Sequence, residues 1–227
     1  MSAVERDFDR LAQFDEPAWT GNNHYHNFLL RHLPAGCNQV LEIGCGKGAF
    51  SRAVASRAQR VLAIDLSAEM IRVARSRSPQ FPQIEFEIAD VMTREFPPQT
   101  FDCIATIATL HHLPTRVVLL KLKQALRPGG VLLVLDLYEP ERNLWRLKGQ
   151  TDAFLNVVAM GASVTLRLLH NGRLRPSREV RQAWEEHGKT DRYLPMDEVR
   201  SLYSSIFPGV VIRKLLLWRY SAIWTKT

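Results

Sequence analysis

Three cysteines in 227 residues, Cys37, Cys45 and Cys103, are too few and too widely spaced for a disulfide framework, and they match no zinc-ligand pattern. A reduced, cytoplasmic setting is the expectation that follows. Long apolar runs are also missing. No stretch approaches the roughly 18 consecutive apolar residues that mark a spanning helix, so none is expected. The first residues, MSAVERDFDRLAQFDEP, are charged throughout and lack the apolar stretch of a secretory signal. Repeats and low-complexity tracts are absent as well. The chain does have an excess of positive charge, with 30 Lys and Arg against 23 Asp and Glu, a formal +7. That permits contact with nucleic acid or an anionic membrane surface. The basic residues are interleaved with acids rather than massed in one tract, which favours an ordinary basic soluble protein.

With 46% hydrophobic residues the chain can bury a real core, and its length suits a single domain, residues 1–227. Val4, Phe8, Leu11 and Phe14 stand at helical spacing, and NNHYHNFLLRHLP reads as a helix ending before Pro34. Residues 1–34 are therefore expected to form a helical lid. From there strands and helices alternate: QVLEIG, RVLAID, IEFEIAD, FDCIATIATL and VLLVLDLY as strands, with KGAFSRAVASRA, SAEMIRVARSRS and TRVVLLKLKQALRPGG as helices between them. Fully apolar strands in such units argue for a parallel sheet buried on both faces, a doubly wound α/β fold. Residues 140–208 break the rhythm with mostly helical patterns and form an insertion after the fifth strand. Two final strands are expected at 210–217 and 219–225, with no obvious turn between them.

The loop after the first strand, VLEIGCGKGAF, carries Gly44, Gly46 and Gly48. In a doubly wound sheet the ligand lies beyond the carboxyl ends of the strands, where this loop falls. Glycine lets a ligand approach the backbone, and the following helix N-terminus favours an anionic group. Read as G-x-G-x-x-A, the loop also meets the dinucleotide fingerprint. Asp65, about 20 residues on, suits the hydroxyls of an adenosyl ribose, which NAD and S-adenosylmethionine share. Glu42, a carboxylate inside an apolar strand, is costly without a partner. It suits the cationic sulfonium and amino group of S-adenosylmethionine and would repel a pyrophosphate. Asp90, at the end of the third strand, is placed to accept from an adenine amino group.

VLEIGCGKG, VLAIDLSAEMI, FEIADV, FDCIATIATLHHLP, ALRPGGVLLVLDLYEP and RYSAIWTKT, in that order, resemble a class I S-adenosylmethionine-dependent methyltransferase. The resemblance is closest to the ubiquinone- and menaquinone-biosynthesis-like (methyltransferase type 11) subfamily. It covers residues 37–137 well and the last strands more loosely. It implies a Rossmann-like, seven-stranded, mostly parallel sheet with an antiparallel final strand. It also implies S-adenosylmethionine as cofactor and S-adenosylhomocysteine as product. Gly44, Gly46 and Gly48 would pack against the methionine and ribose, with Glu42 below. Asp65 would hold the ribose hydroxyls, Leu66 and Met70 would flank the adenine, and Asp90 would meet its amino group beside Val91. Ile107 would lie near the methionyl part, where the family often has a small polar residue.

Methyl transfer from a sulfonium is an in-line displacement for which a protein supplies mainly alignment, plus a base where the acceptor must lose a proton. His111 and His112 in LHHLP, and His24 and His26 in the N-terminal segment, are the candidate catalytic groups. The structural readings weigh more: a turn and cofactor-pocket wall for His111 and His112, and hydrogen bonding to backbone or to the cofactor carboxylate for His24 and His26. No metal is expected, because adjacent histidines rarely reach one ion and no neighbouring acids complete a shell. The acceptor is expected to be a small molecule. The apolar LWRLKGQTDAFLNVVAMGASVTLRLLH reads first as helices capping the sheet; as an acceptor pocket or an interfacial face it makes a quinone- or lipid-type C-methyltransferase at a membrane surface the alternative. The basic run NGRLRPSREVR reads as a solvated face. A nucleic-acid acceptor is disfavoured, since ATLHHLP stands where base methyltransferases carry an NPPY-type motif. A non-catalytic S-adenosylmethionine-binding protein is the rival from another class.

Overall fold

Apolar strands with Leu, Ile and Val at both faces can be stable only in the middle of a layered structure, and the chain places them there. The computed structural model describes residues 3–15, 17–140, 147–172, 177–188 and 191–227. Strands β1 (Gln39–Ile43), β2 (Arg60–Asp65), β3 (Ile84–Ile88), β4 (Phe101–Ile107) and β5 (Leu126–Leu137) run parallel. With β6 (Val211–Leu215) and β7 (Arg219–Thr225) they form one sheet of order β3-β2-β1-β4-β5-β7-β6. Strand β7 is antiparallel to both β5 and β6. Strand β3 lies at an edge, as its alternating IEFEI pattern requires.

The two faces of the sheet bury separate cores. On one face Leu41, Ile43, Ile104 and Val134 meet Val118, Leu119 and Leu122 of α5 (Thr115–Ala125) and Val199, Tyr203 and Ile206 of α8 (Met196–Ile206). On the other, Val40, Val61, Ala63 and Cys103 pack with Leu29 of α2 (His26–Leu30), Phe50 and Val54 of α3 (Ala49–Ala55), and Ile71 and Ala74 of α4 (Ala68–Ser76). The Ser67 hydroxyl caps α4 by accepting from the Met70 amide at 3.0 Å. Helix α1 (Ala3–Ala12) lies across α4 and α7 (Arg178–His187), where Leu11, Met70 and Ala183 share a small core.

Three expectations change. The helix read through QALRPGG ends at Ala125, and Leu126 already pairs with Phe101. The ladder then shifts register before Cys103 meets Val131. The last turn, which the sequence does not signal with a glycine, is made by Leu217 and Trp218, both in left-handed backbone with φ of 63° and 58°. Burial of Leu217 beside Trp19 and Ala159 offsets that strain. Helix α6 (Leu147–Asn171) is, by length and composition, apolar enough to cross a membrane over Gln150–Asn171, with only 11% of its apolar window buried. Counting consecutive apolar residues missed it, since small and polar residues interrupt the run. Residues 173–176 of the basic run NGRLRPSREVR lie outside the described residues.

Candidate active site

The loop between β1 and α3 starts from a backbone anchored to the neighbouring strand. The amides of Gly44 and Cys45 both donate to the Ile64 carbonyl, at 2.9 and 3.0 Å. Gly44 has φ +70°, and a Cβ there would stand 2.2 Å from Thr109 Oγ1. The loop after β4 is thus pressed against the glycine loop, and only glycine fits between them. Gly46, with φ +51°, has open space on the side a Cβ would take, leaving its backbone free for a ligand's approach.

Two carboxylates flank this loop. Asp65, ending β2, accepts from the Gly46 amide at 2.8 Å and the Ser67 amide at 2.9 Å. Burial raises its pKa against the lowering effect of those amides. Glu42, in β1, is 2% exposed and accepts from the Ser51 hydroxyl at 2.5 Å. Burial pushes it up to about 8, the Ser51 bond pulling down and Asp65 pushing up. A site flanked by two carboxyls disfavours an anionic ligand and gains from a cationic one, which draws Glu42 towards its ionised form. These residues fit S-adenosylmethionine: the hydroxyls of its ribose can bond Asp65, its positive charge can compensate Glu42, and its backbone-facing side has room at Gly46.

The other predicted cofactor contacts sit less openly. Leu66 follows Asp65 and is half-buried. Met70 is covered by Leu11, with Phe8 and Phe14 packed around it. Asp9 of α1 accepts from the Ser67 hydroxyl at 2.6 Å, and Lys47 donates to the Phe14 carbonyl, so the N-terminal segment rests over this side of the loop. Asp90 accepts from the Met92 amide at 2.8 Å, closing its own turn, and Val91 belongs to the main core. Gly48 precedes α3, and Ile107 ends β4 half-buried.

The histidines separate into two groups. His24 lies against Trp19 and Tyr25, and His26 against Phe50. Burial lowers the His26 pKa to about 4, so it is neutral at physiological pH. His111 and His112, in a short turn after β4, join residues that sequence reading missed. Asp136 of β5 lies 2.6 Å from His111 Nδ1. The Asp191 carboxylate lies 3.2 Å from His112 Nδ1 and 3.9 Å from His111 Nε2. Tyr193 donates to Asp191 Oδ2 at 2.6 Å, and His187 Nε2 stands 3.8 Å from Asp191 Oδ1. Burial alone would raise Asp191. Hydrogen bonding with His112 and Tyr193, and the nearby imidazoles, outweigh it and hold its pKa at about 2. The expectation of no acid near the histidine pair therefore fails, because the acids arrive from β5 and from beyond α7. For Asp136 a signal existed: it is a lone acid in an apolar strand, as Glu42 is.

Sheet order and an acid-flanked glycine loop define a class I, Rossmann-like S-adenosylmethionine-dependent enzyme. Comparison with known proteins agrees. A methyltransferase domain family model matches residues 40–130. An uncharacterized methyltransferase of Mycobacterium tuberculosis is 33% identical over 216 residues, 92% of this chain and 98% of that protein. A ubiquinone biosynthesis O-methyltransferase of Xylella fastidiosa is 30% identical over 151 residues, 64% of this chain and 56% of its own. The solved structure of the N-methyltransferase NodS from Bradyrhizobium japonicum, in complex with S-adenosylhomocysteine, superposes with a TM-score of 0.65 at 17% identity, covering 99% of both chains. The chain belongs to the S-adenosylmethionine-dependent methyltransferase family.

Proposed function

We propose that this enzyme methylates a small-molecule acceptor, acting mainly by holding acceptor and methyl donor in line. The observation that carries this reading is the contact of Gly44 with Thr109. It joins the loop that would hold the donor to the turn bearing His111 and His112, so donor and acceptor sides meet at one seam. S-adenosylmethionine, when bound, supplies an electrophilic methyl group on a sulfonium. Glu42 would balance the positive charge, and Asp65 would fix the ribose and thereby the direction of the sulfur–methyl bond. His111 and His112 form the acceptor side, whereas His24 and His26 stand apart from them and are left to the N-terminal cover. Release of S-adenosylhomocysteine is the test, measured with phenols, carboxylates, amines and quinones as acceptors. Release with at least one class supports the reading; binding of S-adenosylmethionine without release from any class favours a non-catalytic binding protein.

A second reading, an apolar quinone- or lipid-type acceptor taken at a membrane surface, is favoured by α6. Its Asp152, Ala159 and Ser163 are buried, and Asp152 pairs with Lys214. Asn171 exchanges hydrogen bonds with the Trp19 backbone at 2.8 and 3.0 Å. The opposite side exposes Phe154, Val157, Met160, Leu168 and Leu169. A helix held on its inner side by polar contacts and by Ala159, with an apolar stripe outward, suits lying in a bilayer interface rather than crossing it. Phe154 and Leu169 are 67% and 73% exposed, an arrangement that water alone does not favour.

A further inference from the structure

We propose that His111, His112 and Asp191 form a binding site for a first-row divalent cation, Zn²⁺ being the best match to two imidazoles and one carboxylate. One nitrogen from each histidine and one Asp191 oxygen lie within 4.8 Å of one another. The three side chains are 7%, 7% and 4% exposed, so they are not a chance grouping of solvated surface groups.

Geometry assigns the donor atoms. Asp136 lies 2.6 Å from His111 Nδ1 and also accepts the His111 backbone amide at 3.2 Å. A carboxylate accepts only, so in the neutral ring the proton sits on Nδ1 and Nε2 carries a lone pair. Nε2 stands 3.9 Å from Asp191 Oδ2. The gap is too wide for a hydrogen bond, and Oδ2 already accepts from Tyr193, so it is the Nε2 lone pair that a cation beside Asp191 would satisfy. His112 Nδ1, 3.2 Å from Asp191 Oδ1, supplies the third donor once its proton moves to Nε2, the other neutral tautomer, and leaves the lone pair to the ion. Zinc bonds of about 2.0–2.2 Å place ligand atoms roughly 3–4 Å apart, so closing the set needs a shift on the order of 1 Å at its widest pair.

The surroundings are those of an oriented metal site. Asp136 behind His111 makes the carboxylate–histidine pairing that fixes a ligating ring. Tyr193 holds Asp191 Oδ2 at 2.6 Å. The ring centroids of His111 and His112 are 3.9 Å apart, and Phe8 of α1 closes on His112 at 5.4 Å. Three protein donors leave a tetrahedral ion one open position, and a cavity of about 340 Å³ adjoins the two histidines, lined also by Leu113, Thr115 and Arg192. A water or an oxygen of a bound small molecule would fill that position. The last point rests on the methyl-transfer reading; the cation site itself does not.

The test uses the full chain stripped with a chelator and titrated with Zn²⁺ alone, then with Co²⁺ to read visible absorption. Wild type is expected to take up one ion with tetrahedral Co²⁺ bands. Asp191→Ala and His112→Gln should each lose that band, and Asp136→Asn should weaken affinity about 10- to 100-fold. Stabilisation of every variant by S-adenosylhomocysteine shows that the fold survives; if Asp191→Ala fails this control, His112→Gln decides. No ion bound by wild type, or equal binding by a folded His112→Gln protein, overturns the proposal. Neither result bears on whether the chain transfers methyl groups, which the S-adenosylhomocysteine release assay reads separately.

Discussion

The carboxylate of Asp65 accepts from the backbone amide of Gly46 at 2.8 Å, so the side chain proposed to hold the ribose also shapes the glycine loop. In the ligand-free protein it is committed to two amides. Asp65→Ala should therefore weaken S-adenosylmethionine binding by two orders of magnitude or more, since hydrogen bonds to a charged group contribute about 1.5–3 kcal/mol each. Calorimetry with both S-adenosylmethionine and S-adenosylhomocysteine reads this. A loss of less than tenfold would remove Asp65 from the ribose role.

Glu42 gives a pH dependence with a definite sign. Its pKa lies at about 8 in the folded protein against an ordinary value of 4.5. Below 4.5 the carboxyl is neutral in both states and carries no penalty. As pH rises towards about 8 the unfolded chain ionises first, and stability declines until the folded group ionises too. Glu42→Gln should raise the melting temperature of the ligand-free protein, more at pH 8 than at pH 5. The sulfonium favours the ionised carboxylate, so the preference for S-adenosylmethionine over S-adenosylhomocysteine should grow with pH in wild type. In the variant it should stay flat.

Substituting two loop glycines should have different consequences. Gly44→Ala drives a methyl into Thr109 and should destabilise the fold itself. Gly46→Ala meets nothing in the free protein and costs only the left-handed backbone, about 1–2 kcal/mol. Its new methyl occupies the ligand's approach. Folding should survive in Gly46→Ala while binding is lost, as circular dichroism beside calorimetry will show.

The outward face of α6 predicts association with lipid. Wild type should co-sediment with anionic vesicles, and Phe154→Glu combined with Leu169→Glu should abolish this while leaving S-adenosylhomocysteine binding intact. Wild type that stays in the supernatant, or a variant that still sediments, would turn attention to a second copy of the chain as the cover for this face.

Much of the sheet was readable because each strand is a short apolar run followed by a helix signal, as in RVLAIDLS with its Ser67 cap. The glycine loop, Glu42 and Asp65 were readable for a related reason: each departs from the local apolar pattern at a strand's carboxyl end. The Leu217–Trp218 turn was not, since nothing in either residue type signals left-handed backbone; tertiary burial holds it. Asp191 was equally hidden. Its place beside His111 and His112 depends on how the insertion folds back, which no local spacing encodes.

Strand β7 lies between β5 and β6, although the whole helical insertion separates it from β5 in the chain. Its pairing with β5 must close a very long loop, and such contacts form late. During refolding, the parallel strands β1 to β5 can assemble first and leave an apolar β5 edge exposed until the β6–β7 hairpin docks. That interval is when the chain is most open to edge-to-edge association with another copy. Refolding yield should consequently fall with protein concentration, even where the finished fold is stable.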